Sequence, residues 1–151
     1  MPGQPNLPDH FVFNVTDLRP LETGPPPPNI IPVNTDFDIY CNFEFRYYMG
    51  HIFHEDHALT PENDFRVKYY AEELGGPNDQ LLGEKAGTFN SDPNVEDHYY
   101  GESDTKMTVS GGISTPGTYR LTCTVDCLDM NGNMTGYTGF YEGPVIQISE
   151  A

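Results

Sequence analysis

Residues 35–48 constrain the fold more than any other segment, because an apolar residue stands at every second position from Phe37 to Phe45. Side chains at positions i and i+2 lie on the same face of a β-strand. This segment is therefore predicted to bury one apolar row in a core and to expose its polar residues to water. The residues of the apolar row are Phe37, Ile39, Cys41, Phe43 and Phe45.

Further alternating segments predict strands at residues 10–16, 65–71, 105–109, 119–127 and 144–148. Residues 74–104 are poorly patterned, and we expect a short edge strand near residues 88–90 within long loops there. Gly-, Pro- and Asn-rich turn signals separate the segments, and no long stretch keeps a helical apolar period. The sequence therefore predicts an all-β fold, a two-sheet antiparallel sandwich of about seven strands with long loops.

The length of 151 residues is typical of one domain. Residues 1–9 are rich in Pro and Gly and are expected to form a flexible N-terminal arm, followed by a single domain over residues 10–151. Residues 20–32 are Pro-rich, which favours an extended connector along the edge of the domain.

One segment resembles a known superfamily. Residues 116–125 read Pro-Gly-Thr-Tyr-Arg-Leu-Thr-Cys-Thr-Val, with Tyr119 after a tight turn and Cys123 in the following strand. This resembles the penultimate strand of immunoglobulin-like domains, in which a Tyr precedes an inward-facing core strand. The resemblance implies that Cys41 and Cys123 occupy the positions of the inter-sheet disulfide of that family. The alternative is that Cys41, Cys123 and Cys127 are reduced, buried thiols.

The formal net charge of −16 disfavours binding to nucleic acid and to anionic membranes, because both need clustered Lys and Arg. No apolar run is long enough to cross a bilayer, so membrane insertion is not expected. The first residues show no signal-peptide pattern, which leads us to expect a cytoplasmic location by default, the alternative being export by a route that reads no classical signal.

Three of the five histidines fall within seven residues, together with two carboxylates. On a helical turn such residues converge as ligands for zinc or nickel, whereas a strand would separate them. The alternative is a solvated polar loop between two strands. The candidate ligands are His51, His54, Asp56 and His57.

Acidic and amide side chains near the last hairpin suggest a second possible metal, calcium, which binds loop oxygens. The alternative is that Asn131 and Gly132 simply form a hairpin turn. The candidate residues are Asp126, Asp129, Asn131 and Asn133, with Asp92, Glu96 and Asp97 from a preceding loop.

Six of the ten tyrosines occur as adjacent pairs, and in a strand one ring of each pair faces outward. Tyr48, Tyr70 and Tyr100 are predicted to form an exposed interaction surface. The absence of Trp favours protein contacts over sugar contacts. With no catalytic motif in the sequence, we predict a non-catalytic module that binds a protein partner or forms a homo-oligomer through a Tyr-rich face or a sheet edge. The alternative function is a metal-binding β-sandwich.

Overall fold

A computed structural model of the chain describes residues 12–21, 29–46, 64–88, 97–128 and 131–150. In chain order these residues form nine strands, with one helical turn, α1 (Glu102–Thr105), between the sixth and the seventh. The strands are β1 (Val12–Leu21), β2 (Ile30–Pro32), β3 (Phe37–Arg46), β4 (Asp64–Glu73), β5 (Gln80–Thr88), β6 (Asp97–Tyr100), β7 (Met107–Val109), β8 (Gly117–Leu128) and β9 (Met134–Ser149).

The strands form two sheets, which confirms the predicted all-β, two-sheet fold. In the four-stranded sheet, β3 pairs with β1 on one side and with β6 and β7 on the other. The five-stranded sheet has the order β2-β9-β8-β4-β5. One pairing differs from the predicted antiparallel pattern, since β2 runs parallel to β9.

The core lies between the two sheets and consists of the predicted alternating rows. Phe37, Ile39, Cys41 and Phe43 of β3 are buried. The inward residues of β4 and β8 are also buried: Phe65, Val67, Tyr69, Ala71, Tyr119, Leu121, Cys123, Val125 and Cys127. This confirms the period-2 prediction for these three strands. The side chain of Phe45 lies outside the described residues.

The segment predicted as a Pro-rich connector, residues 20–32, has strand structure at both of its ends. Pro20 and Leu21 are the last residues of β1, and residues 30–32 form β2. Ile31 of β2 is buried opposite Ile148, so burial of one apolar side chain holds this Pro-containing segment on the sheet. Pro32 lies at an edge strand, where proline is tolerated. Residues 1–9 and 22–28 lie outside the described residues.

The short strand expected near residues 88–90 is in fact β5, which covers Gln80–Thr88 and ends where that strand was placed. β5 is the edge of its sheet, and its side chains are intermediate or exposed. An edge strand with this burial has no apolar alternation, which explains why the sequence pattern missed it.

Thr105 was predicted to begin a strand, but it is the last residue of α1. Its buried hydroxyl lies beside the backbone of Cys41. The Cys41 amide donates to Thr105 Oγ1 at 3.1 Å, and Thr105 Oγ1 lies 2.7 Å from the Cys41 carbonyl oxygen. Because β6 and β7 pair only with the two ends of β3, this side chain supplies the hydrogen bonds that a neighbouring strand would otherwise give.

Candidate interaction surface

The side of the five-stranded sheet that faces away from the core is called the outer face below. The buried residues of β4 and β8 face inward, so the residues between them and their cross-strand partners face outward. The outer face comprises Ile30, Pro32, Asp64, Arg66, Lys68, Tyr70, Glu72, Leu81, Glu84, Ala86, Thr88, Thr118, Arg120, Thr122, Thr124, Asp126, Leu128, Met134, Thr138, Phe140, Glu142, Val145, Gln147 and Ser149.

Exposed apolar side chains concentrate on this face. Among the described residues, seven large hydrophobic side chains are exposed, and five of them lie here. Phe140 is 56% exposed, Leu81 54% and Met134 62%. The other two members of the five are Ile30 and Val145. Scattered exposed apolar residues are normal on a protein surface, but their concentration on one face is typical of a surface that contacts another molecule.

A shallow groove crosses the outer face beside Phe140. It has a volume of about 240 Å³, and its lining includes Tyr70, Thr122 and Gln80. Thr122 is only 1% exposed although it faces outward, so the neighbouring side chains enclose it. Phe140 and Tyr70 therefore border a depression into which a partner's side chain could insert.

The outer face also has a different charge from the rest of the protein. Three basic and five acidic side chains lie on it, which gives a formal charge of −2, while the whole chain carries −16. Arg120 and Glu142 form an ion pair across β8 and β9 with an Nη1–Oε2 distance of 3.4 Å. Charges of both signs are thus mixed with apolar residues here.

The three predicted tyrosines have different positions. Tyr70 lies on the outer face and is half-buried. Tyr100 does not belong to an exposed surface, which corrects the prediction. It is buried opposite Phe43, and the two rings stack with centroids 4.9 Å apart. Its neighbour Tyr99 is the exposed member of that pair, at 66%. Tyr48 lies outside the described residues.

The cysteines are buried and reduced. Cys41 of β3 and Cys123 of β8 are buried in the two facing sheets. Hydrogen bonding between their side chains lowers the pKa of Cys41, against the effect of burial, and raises that of Cys123. Burial, followed by the charge of Asp126, raises the pKa of Cys127. All three thiols are 0% exposed, so they have no access to a substrate.

The candidate metal ligands are not brought together in the part of the chain that the structure describes. Asp126 is buried on the outer face, where its carboxylate accepts a hydrogen bond from Thr138. Asn131 and Asn133 lie in the turn between β8 and β9. Among the described residues, no three His, Cys, Asp or Glu side chains are placed to hold a metal ion. The histidine segment with His51, His54, Asp56 and His57 lies outside those residues, as do Asp92, Glu96 and Asp129.

The outer face could not be found from the tyrosines alone. Phe140 and Met134 lie in the first part of β9, residues 134–143, where no alternating pattern predicts a strand. Gly136, Gly139 and Gly143 interrupt the alternation in this region. A signal does exist, since Tyr137, Phe140 and Tyr141 form an aromatic group shortly after an Asn-Gly turn.

No family model matches the chain, and no curated protein matches it. A CARDB domain from Pyrococcus furiosus, solved in complex with di-metal ions, matches with a TM-score of 0.46 and 10% identity over 96% of this chain and 99% of that one. A β-glucosidase from Listeria innocua, solved with gluconolactone, has a TM-score of 0.41 and 8% identity, over 92% of this chain and 16% of that one.

A third solved structure is the alkylpurine DNA glycosylase AlkC from Pseudomonas fluorescens, bound to DNA with an abasic site analogue. It has a TM-score of 0.39 and 13% identity, over 87% of this chain and 30% of that one. These low identities say nothing about activity or ligands.

No helix among the described residues is long and apolar enough to cross a membrane.

Proposed function

We propose that the protein is a non-catalytic interaction module that associates with a second copy of itself through the outer face of its five-stranded sheet. The observation that carries the proposal is the presence of five of the seven exposed large hydrophobic side chains on that face. Covering them would remove apolar surface from water, which is the main favourable contribution to protein association.

Charge repulsion between two copies is weakest at the outer face. A chain with a net charge of −16 repels its own copies over most of its surface. The outer face carries only −2, and its Arg66, Lys68 and Arg120 can lie opposite acidic residues of the other copy. In a two-fold symmetric dimer the same face is used by both copies, so each basic residue has acidic counterparts available.

The testing experiment is sedimentation equilibrium of the full chain from about 1 μM to about 1 mM, a range that brackets the dissociation constants of weak to moderate dimers. We expect a monomer–dimer equilibrium that strengthens with added salt, because salt screens the repulsion between the acidic surfaces. Phe140→Ser is expected to weaken dimerisation by about 10- to 100-fold, as for an aromatic residue at the centre of an interface.

Tyr99→Ser is the matched control, because Tyr99 is also an exposed aromatic residue but belongs to the four-stranded sheet. It should leave the dimerisation constant unchanged. A protein that stays monomeric over the whole concentration range at both low and high salt would overturn self-association. Equal weakening by Phe140→Ser and Tyr99→Ser would overturn the assignment to the outer face.

A further inference from the structure

A second feature is a cleft where β1 and β9 lie side by side, and it shares only Glu142 with the outer face. The cleft has a volume of about 560 Å³, within the range of about 300–1,000 Å³ usual for small-molecule sites. One wall contains Asp17, Arg19 and Tyr40, and the other contains Tyr141 and Glu142.

Strand irregularities shape both walls. On β1, Thr16 is an extra residue between the paired residues Val15 and Asp17. On β9, Gly143 and Pro144 together lie opposite the single residue Leu121. Such bulges bend a strand and redirect its side chains, and they are frequent next to functional sites.

The floor of the cleft depends on a glycine. A Cβ atom at Gly143 would lie 2.7 Å from Cδ2 of Leu18, which is closer than carbon atoms can approach without a shift. Leu18 is itself 1% exposed. The absence of a side chain at Gly143 therefore lets β9 pass close to β1 at the base of the cleft.

Several polar groups converge above this floor. Asp17 Oδ1 accepts from the Leu18 amide at 2.9 Å, and Asp17 Oδ2 accepts from Arg19 Nε at 2.7 Å. These two bonds orient the Arg19 guanidinium. Among the described residues, its Nη atoms hold no hydrogen bond or ion pair. Tyr40 lies directly opposite Arg19 on β3, and both Tyr40 and Tyr141 are near enough to contribute to raising the pKa of Arg19, after the larger effect of Asp17.

We propose that this cleft binds a neutral oligosaccharide, with sugar rings against Tyr40 and Tyr141 and their hydroxyl groups hydrogen-bonded to Asp17 and Arg19. A sugar hydroxyl both donates and accepts, and the cleft supplies a carboxylate acceptor beside guanidinium donors. Tyrosine rings offer the flat apolar surface on which the C–H face of a sugar can rest. The sequence lacks Trp and does not single out Tyr40 and Tyr141 as a surface for sugars. Both residues nevertheless line this cleft.

Charge selects against anionic ligands. Two carboxylates and one guanidinium line the cleft, so its formal charge is −1 within a chain of −16, which disfavours anions. The Nη donors of Arg19 suit the oxygen atoms of hydroxyl groups, which carry no charge.

The experiment is a titration of the full, isotope-labelled chain with maltotetraose, cellotetraose, xylotetraose and chitotetraose, followed by amide NMR up to about 10 mM sugar. We expect at least one of them to shift the amides of Leu18 and Gly143 saturably, with a Kd of about 1 mM or less. Tyr40→Ala should weaken that binding at least about tenfold. Arg19→Gln should weaken it too, because the guanidinium donors are lost.

Tyr99→Ala is the matched control, which removes an exposed aromatic ring elsewhere, and it should bind as the wild type does. Tyr141→Ala is not used to decide the test, because Tyr141 packs against the core and its loss can prevent folding. The deciding variants are Tyr40→Ala and Arg19→Gln. The proposal is overturned if no neutral tetrasaccharide shifts the cleft amides saturably, or if both deciding variants bind normally. Tighter binding of tetragalacturonate than of every neutral sugar would also overturn it.

Discussion

The Tyr119 hydroxyl donates a 2.8 Å hydrogen bond to the carbonyl oxygen of Thr115, four residues earlier in the chain. This bond ties the start of β8 to the turn that leads into it, while the Tyr119 ring is fully buried in the core. A tyrosine that bonds to upstream backbone at the start of a core strand is the arrangement called a tyrosine corner in immunoglobulin-like sandwiches. The Glu73 carboxylate lies 3.3 Å from the same hydroxyl.

Removing this hydroxyl should destabilise the fold. We expect Tyr119→Phe to lower the free energy of unfolding by about 1–2 kcal/mol, because the Thr115 carbonyl loses its partner at a part-buried position. Urea denaturation measures the change. Tyr99→Phe is the matched control, since Tyr99 is 66% exposed, and it should change stability by less than about 0.5 kcal/mol. An equal effect of the two substitutions would show that the Tyr119 bond contributes nothing.

The buried tyrosines should make the protein less stable at alkaline pH. Burial raises the pKa of Tyr69 and of Tyr119, and Tyr69 also donates a 2.6 Å bond to the Thr105 carbonyl oxygen. In the unfolded chain these groups lose their protons near pH 10. Above that pH the unfolded state binds fewer protons than the folded state, so stability falls as pH rises, by up to about 1.4 kcal/mol per pH unit for each group.

Urea denaturation between pH 8 and pH 11 tests this expectation. Tyr119→Phe should make the fall in stability less steep, because one of the titrating groups is absent. Tyr99→Phe should leave the slope unchanged, since Tyr99 is exposed. A slope that is the same in the wild type and in Tyr119→Phe would contradict the assignment to that residue.

Thr105 should be more important for stability than its position in a single helical turn suggests. Thr105→Val keeps the shape of the side chain but removes a hydroxyl that accepts from the Cys41 amide and donates its one hydrogen to the Cys41 carbonyl oxygen, with the Gly101 carbonyl oxygen also within 3.0 Å. We expect a loss of about 2–3 kcal/mol in the free energy of unfolding, because buried backbone groups are left without partners. Thermal and urea denaturation both report it.

Thr108→Val is the control for Thr105→Val. The Thr108 hydroxyl also donates one hydrogen bond, to Asp38 Oδ1 at 2.6 Å, but at an exposed position. Its removal should cost less than about 0.5 kcal/mol. An equally small loss in the free energy of unfolding for Thr105→Val would contradict the expectation. It would show that β3 does not depend on the Thr105 hydroxyl for the hydrogen bonds that a neighbouring strand would otherwise give.

The contact between Cys41 and Cys123 leads us to expect that they can be oxidised to a disulfide that joins the two sheets. Refolding in oxidised glutathione, which takes up the two thiol hydrogens, should lower the intact mass by two hydrogens and leave one free thiol of three. The loop between the two residues is about 80 residues long, so the bond should add about 4–5 kcal/mol in the chain-entropy model.

Cys123→Ala is the control for that experiment, and oxidative refolding should leave its mass and melting temperature unchanged. Three free thiols in the wild type after the same treatment would show that the two sulfur atoms cannot reach bonding geometry.

The sequence alone determined the core of this protein. In β3, β4 and β8 the alternation of apolar and polar residues specifies both the strand and its inward face, because a strand has a period of two and one side of each of these strands is buried. The same rule places Tyr70 outward. For the pair Tyr99 and Tyr100 it says only that one ring is buried. The pairing of Tyr100 with Phe43 decides which one.

Tertiary structure alone decided what lies at the edges and on the surface. β2 is a strand because Ile31 is buried beside β9, although its composition favours an extended connector. Thr105 completes β3 because α1 separates β6 from β7. The outer face and the cleft between β1 and β9 each combine residues from distant parts of the chain. Local patterns predict which face of a strand is buried, but contacts between strands depend on pairing, register and bulges, which arise only when the sheets assemble.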